Sequence, residues 1–402
     1  MTGSATSSST TGTGPSGSAA ATATGVLAEA RRIATEVAAV HAPDVDRDAR
    51  FPREAMTALR EAGLLGAWIP TDLGGLGADV VQIGLACEEL AKGCASTAMI
   101  FAMHQIQVGC LVHHGRTPYL QELMRRIAAD QLLVGSATTE MGIGGDVRRS
   151  LCHVDRADDG TFELVKKAPV ISYGVEADLI FVTARKDAEA VESDQVLVVC
   201  DKADLTLEPL GDWDTMGFRG TCSPGFVLTA RSHQDRIFPD DYADLSARTM
   251  LPVAHSLWSS FWLGLAAGAT ATARGVVRQA ARRSGQLQPV TGLRMAELEV
   301  VLETFRARVH GATAGYLEVD PTSQAATLMG RAIGYNTLKV YSAETVVDIV
   351  AKALLIVGIA GYRRTGAVSL DRQLRDAYGA QLMVNNDRIL GNTAQLELIY
   401  KG

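Results

Sequence analysis

Few side chains in this 402-residue sequence have the type and setting for chemistry. Ser136-Ala-Thr-Thr139 ends a short apolar run and offers hydroxyls and backbone donors at a strand end. Gly358 and Gly361 bracket a turn in which a backbone can approach a phosphate closely, or which simply ends a helix. Arg282 and Arg283 close a long helical stretch, where a cation pairs with phosphate or is merely solvated. His104 and His255 each stand alone on an apolar helical stretch. A neutral imidazole there suits a general base near pH 7, and equally suits a satisfied core position. The six cysteines form no CxxC pair and no Cys/His set with zinc spacing, so no metal site is expected and they read as buried thiols in a reducing cytosol.

Three kinds of texture carry these residues. Residues 1–24 are almost all Ser, Thr, Gly and Ala, and too little apolar surface is available there to offset ordering, so a disordered tail is expected. From 25 to 131 the apolar positions recur at helical spacing, as in Leu27, Ala30, Ile33, Val37 and Val40. From 132 to 245 short β-rich runs such as Asp178–Thr183 and Gln195–Val199 alternate with Gly- and Asp-rich turns, predicting an antiparallel β domain. From 246 to 402 long helices return, and the small residues between Gly264 and Ala269 suit close packing in a four-helix bundle. The class is therefore α+β, with a compact sheet unit between two helical blocks. A net charge of −7 argues against a nucleic-acid partner, and no run of about 18 uninterrupted apolar residues predicts a membrane span.

Several motifs fall at the boundaries of these blocks: Gly74-Gly-Leu-Gly77, Glu88-Glu-Leu-Ala91, Thr139-Glu-Met-Gly-Ile-Gly-Gly-Asp146, Met216-Gly-Phe-Arg-Gly-Thr221, Gly358-Ile-Ala-Gly-Tyr362 and Arg375-Asp-Ala377. In order and separation they resemble the signatures of the acyl-CoA dehydrogenase family, over about residues 30 to 390. The resemblance implies FAD. It nominates Thr138, Thr139 and Ser172 for the flavin ring, and Arg283, Gly358 and Gly361 for the phosphate and adenosine end across a subunit interface. It also implies a homodimer or homotetramer, an acyl thioester carried on coenzyme A or a carrier protein, an electron-transfer or flavin-reductase partner, and a cytoplasmic location.

The departures are as informative. Met141 replaces the usual Pro and Gly145 the usual Ser, and Val170 stands where the family has an aromatic wall on the flavin. The family's base is a Glu shortly after Arg-Asp-Ala, and that slot holds Val384, followed by Asn385-Asn-Asp387. Val cannot accept a proton. Members that carry the Glu on the long helix opening the last domain have it near Pro252–Trp258, where this sequence has no carboxylate but does have His255. His255, His104 and Asp387 are thus the candidate bases. Three expectations follow: a thioester dehydrogenase with a relocated base, a monooxygenase using reduced flavin and O2, or a flavoprotein without catalysis.

Overall fold

A computed structural model describes residues 17–401 except 145 and 287. The N-terminal block is helical. α1 (Gly17–Ile33) runs through a π-turn at Ala34–Ala38 into α2 (Ala39–Arg47), and α3 (Arg53–Glu61), α4 (Val80–Gly93), α5 (Ala95–His114) and α6 (Pro118–Asp130) follow. α1 begins inside the segment expected to be disordered; Ala19–Ala21 and Ala23 are strong helix formers that extend the packed helix toward its N-terminus. The rest of that expectation, residues 1–16, lies outside the described residues. α4 starts at a capping box, with Asp79 accepting from Gln82 N at 2.9 Å and Gln82 Oε1 accepting from Asp79 N at 3.0 Å. α5 is long and apolar enough to cross a membrane, but 89% of its apolar window is buried inside the fold.

Among the described residues the middle block holds seven strands in two sheets. β1 (Val134–Ala137), β4 (Leu179–Arg185) and β5 (Gln195–Asp201) form one, in the order β1-β4-β5. β2 (Asp155–Arg156), β3 (Thr161–Ala168), β6 (Leu205–Pro209) and β7 (Phe226–His233) form the other, in the order β2-β3-β7-β6. The expectation of an antiparallel domain needs one correction, because β1 pairs with β4 in parallel. β4 is reached from β1 through a crossover that includes β2 and β3, so the two strands run the same way. β4 and β5 are buried on both faces, whereas β3 alternates buried and exposed positions.

A short α7 (Tyr242–Leu245) and a π-turn lead into the C-terminal block. α8 (Leu251–Ser284), α9 (Pro289–Leu317), α10 (Met329–Val357) and α12 (Asp371–Leu382) pack as a bundle, α11 (Ile359–Tyr362) is a single turn, and α13 (Asn386–Glu397) lies against α10. α8 also packs along α4. Gly264 lies so close that a Cβ there would stand 2.0 Å from Glu88 O, which explains the small residues of this stretch.

Candidate functional site

The loop after β1 is anchored by a buried ion pair. Glu140 accepts from Cys152 N at 2.7 Å, Leu151 N at 3.1 Å and Ser150 Oγ at 2.7 Å, and Lys166 Nζ lies 3.2 Å from its Oε2. Lys166 points inward from β3 and also donates to Thr183 O at 2.7 Å. Burial penalises both charges. The Lys166 ammonium and the donors around Glu140 nevertheless hold its carboxyl below the usual range, while desolvation pulls the amine of Lys166 down. The Glu of this motif is therefore an anchor. It fixes the segment whose first residues, Thr138 and Thr139, are half-buried at the sheet end.

Thr139 Oγ1 donates to Val170 O at 3.2 Å, so this loop lies beside residues 170–172. Ser172 is buried and ends a chain of hydroxyls: Thr221 Oγ1 and Ser223 Oγ are 2.8 Å apart, and Ser223 Oγ donates to Ser172 Oγ at 3.0 Å. The Ser172 proton is left free to donate outward. Thr138 makes no side-chain hydrogen bond among the described residues, so its hydroxyl is likewise available.

The third wall comes from the bundle. Asp376 is fully buried and accepts from Phe218 N at 2.6 Å; Arg375 donates to Met216 O at 2.7 Å and to both oxygens of Asp46. A Cβ on Gly217 would stand 2.3 Å from Arg375 O, so only glycine fits there. The motifs at 216–221 and 375–377 are thus two halves of one junction that joins α2, the sheet block and α12. Beyond α12, Arg388 donates to Gly144 O at 2.8 Å, which brings the α12–α13 turn against the loop after β1. In that turn Val384 has φ +42°, a left-handed conformation that costs a β-branched residue about 1–3 kcal/mol. Lys339 Nζ, buried in α10, donates to Ala380 O at 3.2 Å, Val384 O at 3.1 Å and Asn386 Oδ1 at 2.7 Å. Burial pushes this amine down to about 7.

The candidate bases fare differently. His104 is fully buried with both ring nitrogens engaged, Nε2 at 2.8 Å from Leu65 O and Nδ1 accepting from Val134 N at 3.0 Å. Burial pushes it down to about 4, and it is a core residue that ties α5 to β1. His255 lies on the α8 face toward α10, with Nδ1 at 3.0 Å from Tyr335 O. Burial and the nearby Lys339 charge push it down to about 3, so it is neutral and a weak base. Asp387 is exposed, in the first turn of α13. No carboxylate occupies the slot after Arg375-Asp-Ala377.

The phosphate-end candidates lie elsewhere. Gly358 has φ +74° and ψ −151°, a conformation for which glycine is needed, and Gly361 is buried against Val357 and Leu354. Gly361, Tyr362 and Arg364 line a cavity of about 230 Å³ with Leu354, Leu370, Asp371 and Leu374. At 1.5 Å per residue Gly358 stands about 28 Å along α10 from Lys339, and Arg283 about 42 Å along α8 from His255. Arg283 is exposed and forms no ion pair among the described residues. Free hydroxyls at Thr138 and Ser172, and a glycine turn with a cation beside a cavity, suit the ring and phosphate ends of FAD. Lys339 and Lys166 were not singled out from the sequence, and Asp376 entered only as part of Arg375-Asp-Ala377. A lone Lys in an otherwise apolar helix or inward strand position is the one signal that could have marked the first two.

Donors of this kind at the junction of the sheet block and the bundle suit a flavin-dependent oxidoreductase. The family description "Acyl-CoA dehydrogenase, N-terminal domain" matches residues 22–131, and "Acyl-CoA dehydrogenase, C-terminal domain" matches residues 249–390. The chain belongs to the acyl-CoA dehydrogenase family and is an acyl-CoA dehydrogenase-like, FAD-dependent oxidoreductase. It is 26% identical over 359 residues to amino sugar nitrososynthase DnmZ of Streptomyces peucetius, covering 85% of this chain and 84% of that protein. It is 24% identical over 374 residues to cyclohex-1-ene-1-carbonyl-CoA dehydrogenase of Geobacter metallireducens, covering 90% and 94%. Butyryl-CoA dehydrogenase from Megasphaera elsdenii has the same fold, with a TM-score of 0.80 at 20% identity over 94% of this chain and 98% of that one.

Proposed function

We propose that the protein oxidises an acyl thioester, carried on coenzyme A or a carrier protein, with a proton acceptor other than a side chain at position 384. The observation that supports this reading is the intact three-way junction of Arg375, Asp376 and the 216–221 loop, in a chain whose named relatives include a CoA-thioester dehydrogenase. Bound FAD supplies the two-electron acceptor. Thr138 and Ser172 donate toward its ring, and Gly358, Gly361 and Arg364 serve its phosphate end. Those two sets are separated along the helices, and Leu355, Ile359 and Tyr362 around the glycine turn are 68%, 73% and 71% exposed. A second copy that covers this face and lends its glycine turn would complete the site, which supports a homodimer or homotetramer. An electron-transfer partner and a cytoplasmic location belong to the same reading.

One observation favours a second reading, a monooxygenase that uses reduced flavin and O2. Val384 cannot take an α-proton, His104 is committed to the core, and His255 is too weakly basic. Such chemistry needs no base at that slot. DnmZ, whose name denotes installing a nitroso group on an amino sugar, is a relative over most of the chain. Anaerobic titration of the FAD-loaded protein with a panel of acyl thioesters decides. Bleaching of the oxidised flavin supports thioester oxidation. No bleaching across the panel, with product formed only when reduced flavin and O2 are both supplied, supports the second reading instead.

A further inference from the structure

We propose that Lys339 is a positioning residue: its ammonium fixes the α12–α13 turn and holds Val384 in the left-handed conformation that shapes this wall of the cleft. The proposal rests on the reading of that turn as part of the flavin site. Three acceptors converge on Nζ, and an ammonium has three N–H groups, so every donor is used. Two acceptors are main-chain carbonyls, one in the last turn of α12 and one of Val384 itself. The third, Asn386 Oδ1, belongs to the first residue of α13. One side chain thus grips the end of one helix, the turn and the start of the next.

The placement is costly for packing alone. Lys339 is 0% exposed, its Nζ lies 5.7 Å from the centre of the Trp262 ring, and no carboxylate pairs with it among the described residues. Desolvation pushes the amine down to about 7; three oxygens within hydrogen-bond reach of Nζ favour the charged form. An apolar side chain would fill the same space without that penalty. What an apolar side chain cannot do is satisfy two carbonyls and an amide oxygen around a β-branched residue at positive φ. Such a conformation persists only where its surroundings over-determine it. Released, Val384 would relax to negative φ, and the bond from Arg388 to Gly144 O, four residues further on, would lose its register.

The test uses the FAD-loaded full chain in a cycle of Lys339→Met, Val384→Gly and the double variant. Glycine adopts positive φ without strain, so it should make the turn less dependent on the ammonium. Amide hydrogen exchange is followed at 382–388, with the α8–α10 amides as the internal control, and visible flavin circular dichroism reports the cleft. Lys339→Met should speed exchange at 382–388 at least tenfold, leave α8–α10 within twofold and alter the flavin signal. In the Val384→Gly background its effect on the turn should shrink at least threefold. Exchange at 382–388 within twofold of wild type in Lys339→Met, or an equal effect in both backgrounds, overturns the proposal. So does a Lys339→Met chain that fails to fold and is not rescued by Val384→Gly. None of these readouts involves substrate, so failure of the thioester assay leaves this result standing, and the reverse also holds.

Discussion

Glu140→Gln should destabilise the middle block before it affects any chemical step, because Glu140 pairs with the buried Lys166 and holds a loop. The side chain keeps its shape, and its remaining oxygen can still accept from Cys152 N. The new NH2, however, stands where Oε2 accepted from Leu151 N, Ser150 Oγ and Lys166 Nζ. Donors then face donors, and a fully buried ammonium keeps only the Thr183 oxygens and Ser150 Oγ. Breaking one partner of a buried pair costs about 3–5 kcal/mol. At about 2 °C per kcal/mol for a unit of this size, the unfolding midpoint should fall by roughly 6–10 °C. Glu140→Gln combined with Lys166→Met removes the stranded charge and should recover about half of that or more, so the cycle closed with Lys166→Met alone should be strongly non-additive. Thermal melts with and without FAD, together with the flavin-to-protein ratio, measure both effects. The loop that carries Thr138 and Thr139 loosens with its anchor, so flavin retention should fall in step with stability. A Glu140→Gln protein within about 0.5 kcal/mol of wild type, or an additive cycle, would refute this account of the motif.

Asp376 should give stability a pH signature. Burial raises its carboxyl from 3.8 to about 6 against the pull of Phe218 N and Arg372, so the folded chain holds the proton more tightly than the unfolded one. Its contribution is therefore complete below about pH 4 and lost as pH rises through about 6, on the order of 3 kcal/mol in all. Asp376→Asn keeps an acceptor for Phe218 N and should flatten urea-melt stability across pH 4–6; an unchanged slope would count against the assignment. His104→Leu orphans Val134 N and leaves Leu65 O only the long bond from Gln105 Nε2 at 3.4 Å, and should cost about 1–3 kcal/mol in equilibrium unfolding. The pH profile of kcat/KM in the protein that still folds should keep its shape, and loss of a basic limb would make His104 a base after all. Val384→Glu restores a carboxylate after Arg375-Asp-Ala377. If the missing proton acceptor is what limits thioester oxidation, anaerobic flavin bleaching by an acyl thioester should speed up at least tenfold, whereas no change in rate would place the limit elsewhere.

Much of the architecture is legible in residue order because its causes are local. Alternating burial in β3, the capping box at Asp79 and the Gly-rich breaks all act over a few residues. The parallel pairing of β1 with β4 is not local: strand direction depends on the route of the crossover, and the sequence pattern of a short apolar run is the same either way. The site shows the same division. Thr138, Thr139 and Ser172 could be nominated because the family resemblance carries them. Lys339 could not, because its role exists only when α10, α12 and α13 converge on one amine. His104 misled for the complementary reason. A lone histidine in an apolar helix reads the same whether its ring nitrogens face a cavity or, as here, two backbone groups from other elements.

The motifs that place this chain in its family turn out to be fastenings rather than reagents. Glu140 holds a loop, Arg375 and Asp376 clamp three segments, and Gly217 permits the clamp to close. Each is fixed by steric and charge constraints that any change would violate, whatever reaction the cleft performs. At 384 the constraint falls on the backbone, held at positive φ with its carbonyl gripped by Lys339, and no hydrogen bond holds the side chain. On the proposed reading, a reacting side chain could therefore be exchanged there while the backbone grip stays in place. On that reading these motifs speak to the fold, and the side chain at 384, together with what can reach a proton beside it, is where the reaction would be decided.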